Sequence, residues 1–156
     1  MTGKMPLKMP LKPPLMIPHG ADILVCDGSR ALVLHNAGTP QALDIKVRLT
    51  LDAPPNPPTH EQGTDRPPRV RSGDRRSAID QTDWHDWAER RFAEAVVGAL
   101  ERLGAPGALV VVAPPRMLSN LRRILPESLR RAVMAEIDKD LTRHTVEEIG
   151  RRLSHA

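Results

Sequence analysis

Aromatic residues and cysteine are scarce in this sequence of 156 residues. Trp84, Trp87 and Phe92 are the only aromatic side chains, so the core is expected to be aliphatic. The single cysteine, Cys26, excludes an intramolecular disulfide, and its apolar surroundings in the sequence predict a buried thiol, not a nucleophile. No apolar run is long enough to span a membrane, and the N-terminus has no signal-peptide block. We therefore expect a cytoplasmic protein.

Motifs that bind metals or phosphates are also missing. The histidines are scattered without metal-ligand spacing, and His60-Glu61 lacks the second histidine of a zinc protease motif. Glycine-rich phosphate loops and Gly-x-Ser-x-Gly elbows are absent. Aspartates near strand ends could converge on magnesium, although turns, caps and surface positions explain them better. These aspartates are Asp22, Asp27, Asp44, Asp138 and Asp140. We predict no metal, no cofactor and no catalytic residue.

The remaining composition is that of one globular domain with a basic surface. Hydrophobic residues make up 40% of the chain and charged residues 27%, which suits a single modest core. The formal net charge of +4 favours an anionic partner such as RNA. Most basic residues are arginines, which pair with phosphate better than lysines do.

Residues 1–18 are predicted to be a disordered tail rich in proline and lysine. Lys-Met-Pro-Leu occurs twice from Lys4 and then degrades to Lys-Pro-Pro-Leu. Prolines at this spacing exclude both helix and sheet. The tail is either a basic binding arm or a segment upstream of a true translation start at Met9 or Met16.

The first half of the following α/β domain, predicted over residues 19–156, is expected to hold three antiparallel strands. Residues 21–26 and 31–35 are apolar runs joined by Asp27-Gly28, a hairpin signal. The first run is apolar on both faces and should be a central strand. Apolar residues then alternate with polar ones from Leu43 to Leu51, which predicts a half-buried strand with one face in water.

Residues 51–83 are predicted to form a long functional loop. This stretch contains six prolines, five arginines and almost nothing to bury. A loop of this length in a compact domain is normally functional or disordered. Because no core role is available to it, we predict that it contacts an anionic or protein partner. The predicted contact residues are Glu61, Gln62, Gly63, Asp65, Arg66, Arg69, Arg71, Arg75 and Arg76, with Trp87 beyond the loop.

The second half alternates helices and strands. Asp83 can cap a long amphipathic helix, whose apolar stripe is predicted to be Trp84, Ala88, Phe92, Ala95, Val96, Ala99 and Leu103. Of the two tryptophans, Trp84 is predicted to face the core and Trp87 to be partly exposed.

A buried parallel strand should follow over residues 108–113, then a helix whose first turn contains Pro115. Pro126 opens another short helical turn. Residues 131–138 fit either helix or strand; we favour a strand, because a strand–helix–strand crossover would then cover the sheet. Thr145 to Glu148 is a capping box for a last helix. We thus predict an α/β fold with a mixed sheet of about five strands.

Several segments together resemble the bacterial host-attachment protein family. They are residues 17–20, 57–67, 82–85, 112–116, 121–125 and 136–142. This family is in turn similar to the middle domain of archaeal and eukaryotic peptide-chain release factors and of Pelota. The resemblance implies a ribonuclease-H-like topology, with a loop between the third strand and the long helix. Release factors carry Gly-Gly-Gln in that loop, whereas this chain has Gln62-Gly63 and no Gly-Gly-Gln.

Three functions follow as hypotheses. The favoured one is a translation-associated module that binds ribosome or tRNA through the arginine-rich loop without catalysis. The second is a protein–protein interaction factor that affects host-cell attachment and binds no RNA. The third is peptidyl-tRNA hydrolysis with Gln62 in place of the release-factor glutamine.

Overall fold

The computed structural model describes residues 15–54, 70–104 and 106–155, with residues 70–83 described by their backbone alone. The elements follow in the order β1 (Asp22–Cys26), β2 (Arg30–Asn36), β3 (Ile45–Asp52), α1 (Val70–Leu103), β4 (Leu109–Ala113), α2 (Pro115–Ile124), α3 (Glu127–Ala132), β5 (Val133–Asp138) and α4 (Val146–Ser154).

The five strands form one mixed sheet in the order β3-β2-β1-β4-β5. β1 pairs antiparallel with β2, and β2 with β3, whereas β4 is parallel to both β1 and β5. β1 and β4 lie in the middle and are buried at every residue, as expected for strands that are apolar on both faces. The predicted α/β class with a mixed five-stranded sheet is confirmed.

The core has two layers, one on each face of the sheet. Leu24 and Val111 face the first layer, together with apolar residues of α1, α2 and α3. Ile23 and Val110 face the second layer, which is covered by α4 and by the segment around Ile17. Ile17 is fully buried, so the packed part of the chain begins earlier than the predicted residue 19, and residues 1–14 of the predicted tail lie outside the described residues.

A β-bulge divides β3 between these two layers. Val33 pairs with Leu49 but its neighbour Leu34 pairs with Val47, so Arg48 is an extra residue on β3. Leu49 and Leu51 consequently pack on the first layer, while Ile45 packs on the second. The prediction of one apolar face along β3 is therefore wrong, and Val47 is left 49% exposed.

Helix α1 begins at Val70, not after a cap at Asp83. Leu51 and Asp52 belong to β3, so the predicted loop over residues 51–83 is shortened at both ends. Extending a helix that has already nucleated fixes one residue for each hydrogen bond gained, and no proline interrupts the sequence of α1 after Pro68. Arg71, Arg75 and Arg76 thus lie on helical backbone and not in a loop.

The apolar stripe of α1 is also rotated from the predicted one. Phe92, Val96 and Ala99 are buried as predicted, but Ala95 is exposed. The stripe is completed by Ala93, Val97 and Leu100, which the prediction omitted. This rotation turns the side of the helix bearing Trp84 away from the sheet.

The remaining elements agree with the sequence. α2 begins with Pro115 in its first turn and buries Met117, Leu118 and Leu121. The ambiguous stretch is the strand β5, reached from α2 through the short helix α3. In the capping box of α4, the Glu148 amide donates to Thr145 Oγ1 at 3.1 Å and the Thr145 amide donates to Glu148 Oε1 at 3.0 Å.

Candidate functional site

The predicted contact residues fall into three groups. Six of them lie outside the described residues: Glu61, Gln62, Gly63, Asp65, Arg66 and Arg69. Arg71, Arg75 and Arg76 lie in the first two turns of α1. Trp87 is the one whose surroundings are described, and it lies further along the same helix.

Trp87 is exposed over 41% of its surface, as predicted. Its ring lies 4.6 Å from that of Trp84, centroid to centroid, and the two planes are inclined by 33°. The Arg91 guanidinium carbon lies 5.2 Å from the Trp87 ring centroid. Trp84 is half-buried and lies outside both core layers, so the prediction that it faces the core is wrong.

Helical geometry explains this arrangement. Successive residues of a helix are rotated by about 100°, so residues three and four apart are neighbours on one side. Trp84, Trp87 and Arg91 follow this spacing, on the side of α1 away from Ala93 and Leu100, which are buried. We call these three residues the tryptophan face. An offset or tilted aromatic pair of this kind is a stable arrangement, and a guanidinium over a tryptophan adds a cation–π attraction.

A polar groove of about 190 Å³ lies beside the tryptophan face, between α1 and α2. We call it the arginine groove. Its lining residues are Asp86, Glu89 and Arg90 from α1 and Arg116, Ser119, Asn120 and Arg123 from α2. The α2 residues recur every three or four positions opposite the buried Met117, Leu118 and Leu121, which is why they share one side of the helix.

The arginines of the groove differ in whether they form ion pairs with carboxylates. Arg116 Nη2 donates to Asp86 Oδ1 at 2.8 Å, and its Nε lies 3.8 Å from Glu89 Oε1. Arg116 therefore neutralises both acidic residues of the groove in part. Arg123 donates to the Asn120 side-chain oxygen at 3.3 Å, and no carboxylate among the described side chains forms an ion pair with Arg123 or Arg90.

Arg122, one residue before Arg123, forms an ion pair with a carboxylate outside the groove. Its Nε and Nη2 both donate to Glu136 Oε1 of β5, at 2.8 and 2.6 Å. These hydrogen bonds raise the pKa of the Arg122 guanidinium. Arg122 therefore links α2 to the edge of the sheet, whereas Arg123 faces the groove.

The predicted aspartate set is split between the two ends of the sheet. At one end, Thr142 Oγ1 lies 3.0 Å from Asp27 Oδ2 and 2.8 Å from Asp140 Oδ1. Burial would raise the Asp27 pKa, but hydrogen bonds from the Ser29 and Arg30 amides and from Thr142 outweigh it and lower that pKa. Nearby, burial together with the charges of Asp27 and Asp140 raises the pKa of the Cys26 thiol to about 12, so the thiol is protonated and unreactive.

At the other end, the carboxylate of Asp22 is only 2% exposed and has two partners. His35 Nδ1 lies 3.1 Å from Asp22 Oδ1, and Arg48 Nη1 donates to Asp22 Oδ2 at 2.9 Å. Arg48 is the bulge residue of β3, so the bulge delivers the cation to the buried acid. Of the remaining aspartates, Asp44 forms a surface ion pair with Lys46 at 3.6 Å. In the described part of the chain, no three histidine, cysteine or acidic side chains are grouped as metal ligands.

Sequence reasoning identified the exposure of Trp87 but missed the arginine groove. The available signal was the polar spacing of Arg116, Ser119, Asn120 and Arg123 along a short helix. That spacing alone indicates only a solvated helix side. The groove exists because α1 places Asp86 and Arg90 opposite these α2 residues.

The sequence matches the model of a known protein family. The family model described as "Protein required for attachment to host cells" matches residues 23–153, most of the chain. No curated protein matches the sequence. Among the described residues, no helix combines the length and the apolar character needed to cross a bilayer.

Proposed function

The chain belongs to the family of proteins required for attachment to host cells, and we propose that it serves this role as a translation-associated module that binds ribosome or tRNA. In this proposal the fold is related to the middle domain of release factors, and binding involves no peptide release. The contact surface comprises the arginine-bearing residues 66–76 and the tryptophan face that follows them on the chain.

The observation that carries the proposal is the exposed Trp87, which packs with the half-buried Trp84 and has Arg91 over its ring. Every nucleobase presents a flat π face, so an exposed tryptophan stacks on bases with little sequence preference. Stacking on such an aromatic contributes about 1–3 kcal/mol per base. The Trp87 side chain is 41% exposed, so part of its ring is accessible to a partner.

Charge supports the same partner. The chain carries a formal net charge of +4, and Arg71, Arg75 and Arg76 precede the tryptophan face on the same helix. Arginines bind phosphate oxygens without sequence specificity and release counterions from the nucleic acid, so binding should weaken as salt increases. A helix that carries arginines in its first two turns and an exposed tryptophan further along suits a folded RNA better than a small molecule.

The chain provides its own reporter for the test. Trp84 and Trp87 are its two tryptophans and it has no tyrosine, so intrinsic fluorescence comes from the tryptophan face alone. We expect tRNA and ribosomes to quench this fluorescence at low salt and to lose that effect at high salt. Co-sedimentation with ribosomes should show the same salt dependence.

A matched pair of variants assigns the effect to the site. Trp87→Ala should weaken tRNA binding about tenfold or more, consistent with the removal of one stacked base. Met134→Ala on β5 removes another side chain that is also 41% exposed and should leave binding unchanged. Absence of both quenching and co-sedimentation at low salt would reject the RNA proposal.

The second candidate is a protein partner without RNA, and the same tryptophan favours it. Exposed tryptophans frequently carry much of the binding energy of protein interfaces. Pull-down of a bacterial partner that no longer binds after deletion of residues 55–69, with no effect of tRNA or ribosomes on fluorescence, would replace the first proposal by this one.

A further inference from the structure

We propose that the arginine groove binds a phosphate of single-stranded RNA whose adjacent base stacks on Trp87. This inference rests on the proposed function and deepens it by naming a subsite and the form of RNA that the subsite takes. Arg90 and Arg123 are the phosphate ligands, with Ser119 and Asn120 as neutral hydrogen-bond donors.

The positions of the two parts fit one nucleotide. Arg90 lines the groove and is three residues from Trp87, so the two side chains are neighbours on successive turns of α1. Trp87 itself lies on the adjoining side of the helix, outside the groove. A base on the ring therefore leaves its own phosphate or the next one at the mouth of the groove.

The charges of the groove fit an anion despite its two carboxylates. Asp86 and Glu89 share Arg116, at 2.8 and 3.8 Å, and with Arg90 and Arg123 the lining carries three arginines against two acids. Arg90 and Arg123 remain exposed and are oriented into the same space. Arginine is the residue best suited to bidentate phosphate binding.

The size of the groove also suits this ligand. Its volume of about 190 Å³ corresponds to several water molecules of about 30 Å³ each. A hydrated phosphate group therefore fits into the groove. The base stays outside the groove, on the Trp87 ring. Double-stranded RNA would not offer an unstacked base to Trp87. Single-stranded RNA, or the single-stranded ends and loops of a folded RNA, provides both groups.

The test compares two double variants with the same change in charge. Arg90→Gln with Arg123→Gln removes the groove cations, and Arg151→Gln with Arg152→Gln removes two exposed arginines of α4, which covers the opposite face of the sheet. Each protein is titrated with single-stranded oligouridylate and followed by tryptophan fluorescence over a series of salt concentrations. All four arginines are exposed, and unaltered thermal unfolding checks that each variant is folded.

We expect the groove variant to bind about tenfold more weakly. Its plot of log affinity against log salt should become shallower by about 0.7 for each phosphate that is no longer neutralised by an arginine. The α4 variant should keep the parent slope. Arg90→Lys with Arg123→Lys retains the charges and should restore most of the slope, because Lys also binds phosphate as a point charge.

Two results would overturn the inference. One is equal behaviour of the groove and α4 variants while Trp87→Ala still weakens binding, which leaves RNA binding intact but places the phosphate elsewhere. The other is competition by an acidic peptide such as oligoglutamate with no effect of oligouridylate, which assigns the groove to a protein ligand. If the parent protein binds neither tRNA nor ribosomes, the proposed function itself fails.

Discussion

Two polar regions of this molecule, the turn around Asn36 and the arginine groove, use their hydrogen-bonding groups in opposite ways. Asn36 is fully buried, and its side-chain nitrogen Nδ2 donates to the carbonyls of Ile17 at 3.0 Å, Pro18 at 3.3 Å and Thr39 at 3.4 Å. Its side-chain oxygen Oδ1 accepts from the backbone amides of Gly38 at 2.9 Å and Asp44 at 3.0 Å. The arginine groove is open to solvent and leaves Arg90 and Arg123 facing outward.

This difference separates residues that hold the fold from residues that are available to a partner. Asn36 joins the start of the packed chain, the end of β2 and the turn before β3 through one side chain. Removing it leaves several polar groups without partners in the protein. Removing a groove residue returns its neighbours to water at little cost. Substitutions in the two regions should therefore affect different measurements.

The largest difference in stability should appear when an asparagine is replaced by alanine in one region or in the other. Asn36→Ala leaves buried amides and carbonyls unsatisfied and should lower the free energy of unfolding by about 2–4 kcal/mol. Asn120→Ala in the groove should change it by no more than about 0.5 kcal/mol. Urea unfolding followed by circular dichroism measures both. Equal decreases would show that the groove is part of the structural framework.

A smaller effect with a definite pH dependence is expected at Asp27. Its pKa is lowered in the folded protein, so its ionised form stabilises the fold above the ordinary pKa of 3.8. That contribution is lost as the pH falls from this value through the lowered pKa. Asp27→Asn should lower the free energy of unfolding by about 1 kcal/mol at neutral pH, through weaker acceptance from Ser29, Arg30 and Thr142.

The control for Asp27 is Asp44, whose side chain is 56% exposed and pairs only with Lys46 among the described residues. Asp44→Asn should leave the free energy of unfolding within about 0.5 kcal/mol of the parent. The difference in the free energy of unfolding between the parent and Asp27→Asn should become smaller in acid. A difference that grows in acid contradicts the lowered pKa of Asp27.

The smallest effect on stability, with a clear effect on binding, is expected at Arg91. Arg91→Gln removes the cation from the Trp87 ring, an interaction worth about 0.5–1 kcal/mol when exposed. We expect altered tryptophan emission and tRNA binding that is a few times weaker, with the free energy of unfolding lowered by about 0.5 kcal/mol. Arg102→Gln, at an exposed position about three turns further along the same helix, should alter neither tryptophan emission nor tRNA binding.

Much of the architecture is predictable from the sequence because the signals are local. Two strands apolar on both faces, β1 and β4, identify the centre of the sheet, and Thr145 with Glu148 marks the start of α4. β5 follows from the alternation of Val133, Ala135 and Ile137 together with the need for a crossover.

The remaining features depend on information that a local pattern does not contain. The extra residue Arg48 is consistent with strict alternation in sequence, and only pairing with β2 reveals the change of face. Residues 70–83 have the composition of a loop, but they continue a helix whose stability comes from packing of Phe92 and Leu100. The groove requires Asp86 and Arg116 to meet, and they are 30 residues apart in the chain.

The bulge in β3 has a consequence for how the folded protein meets other copies of itself. β3 is the last strand of the sheet as described, and the outer edge of such a strand is a template for further strand pairing. The bulge makes this strand irregular and Lys46 lies along it, and both features disfavour in-register pairing with a second chain. The extra residue Arg48, which pairs with the buried acid Asp22, therefore also gives β3 an irregular edge that disfavours aggregation.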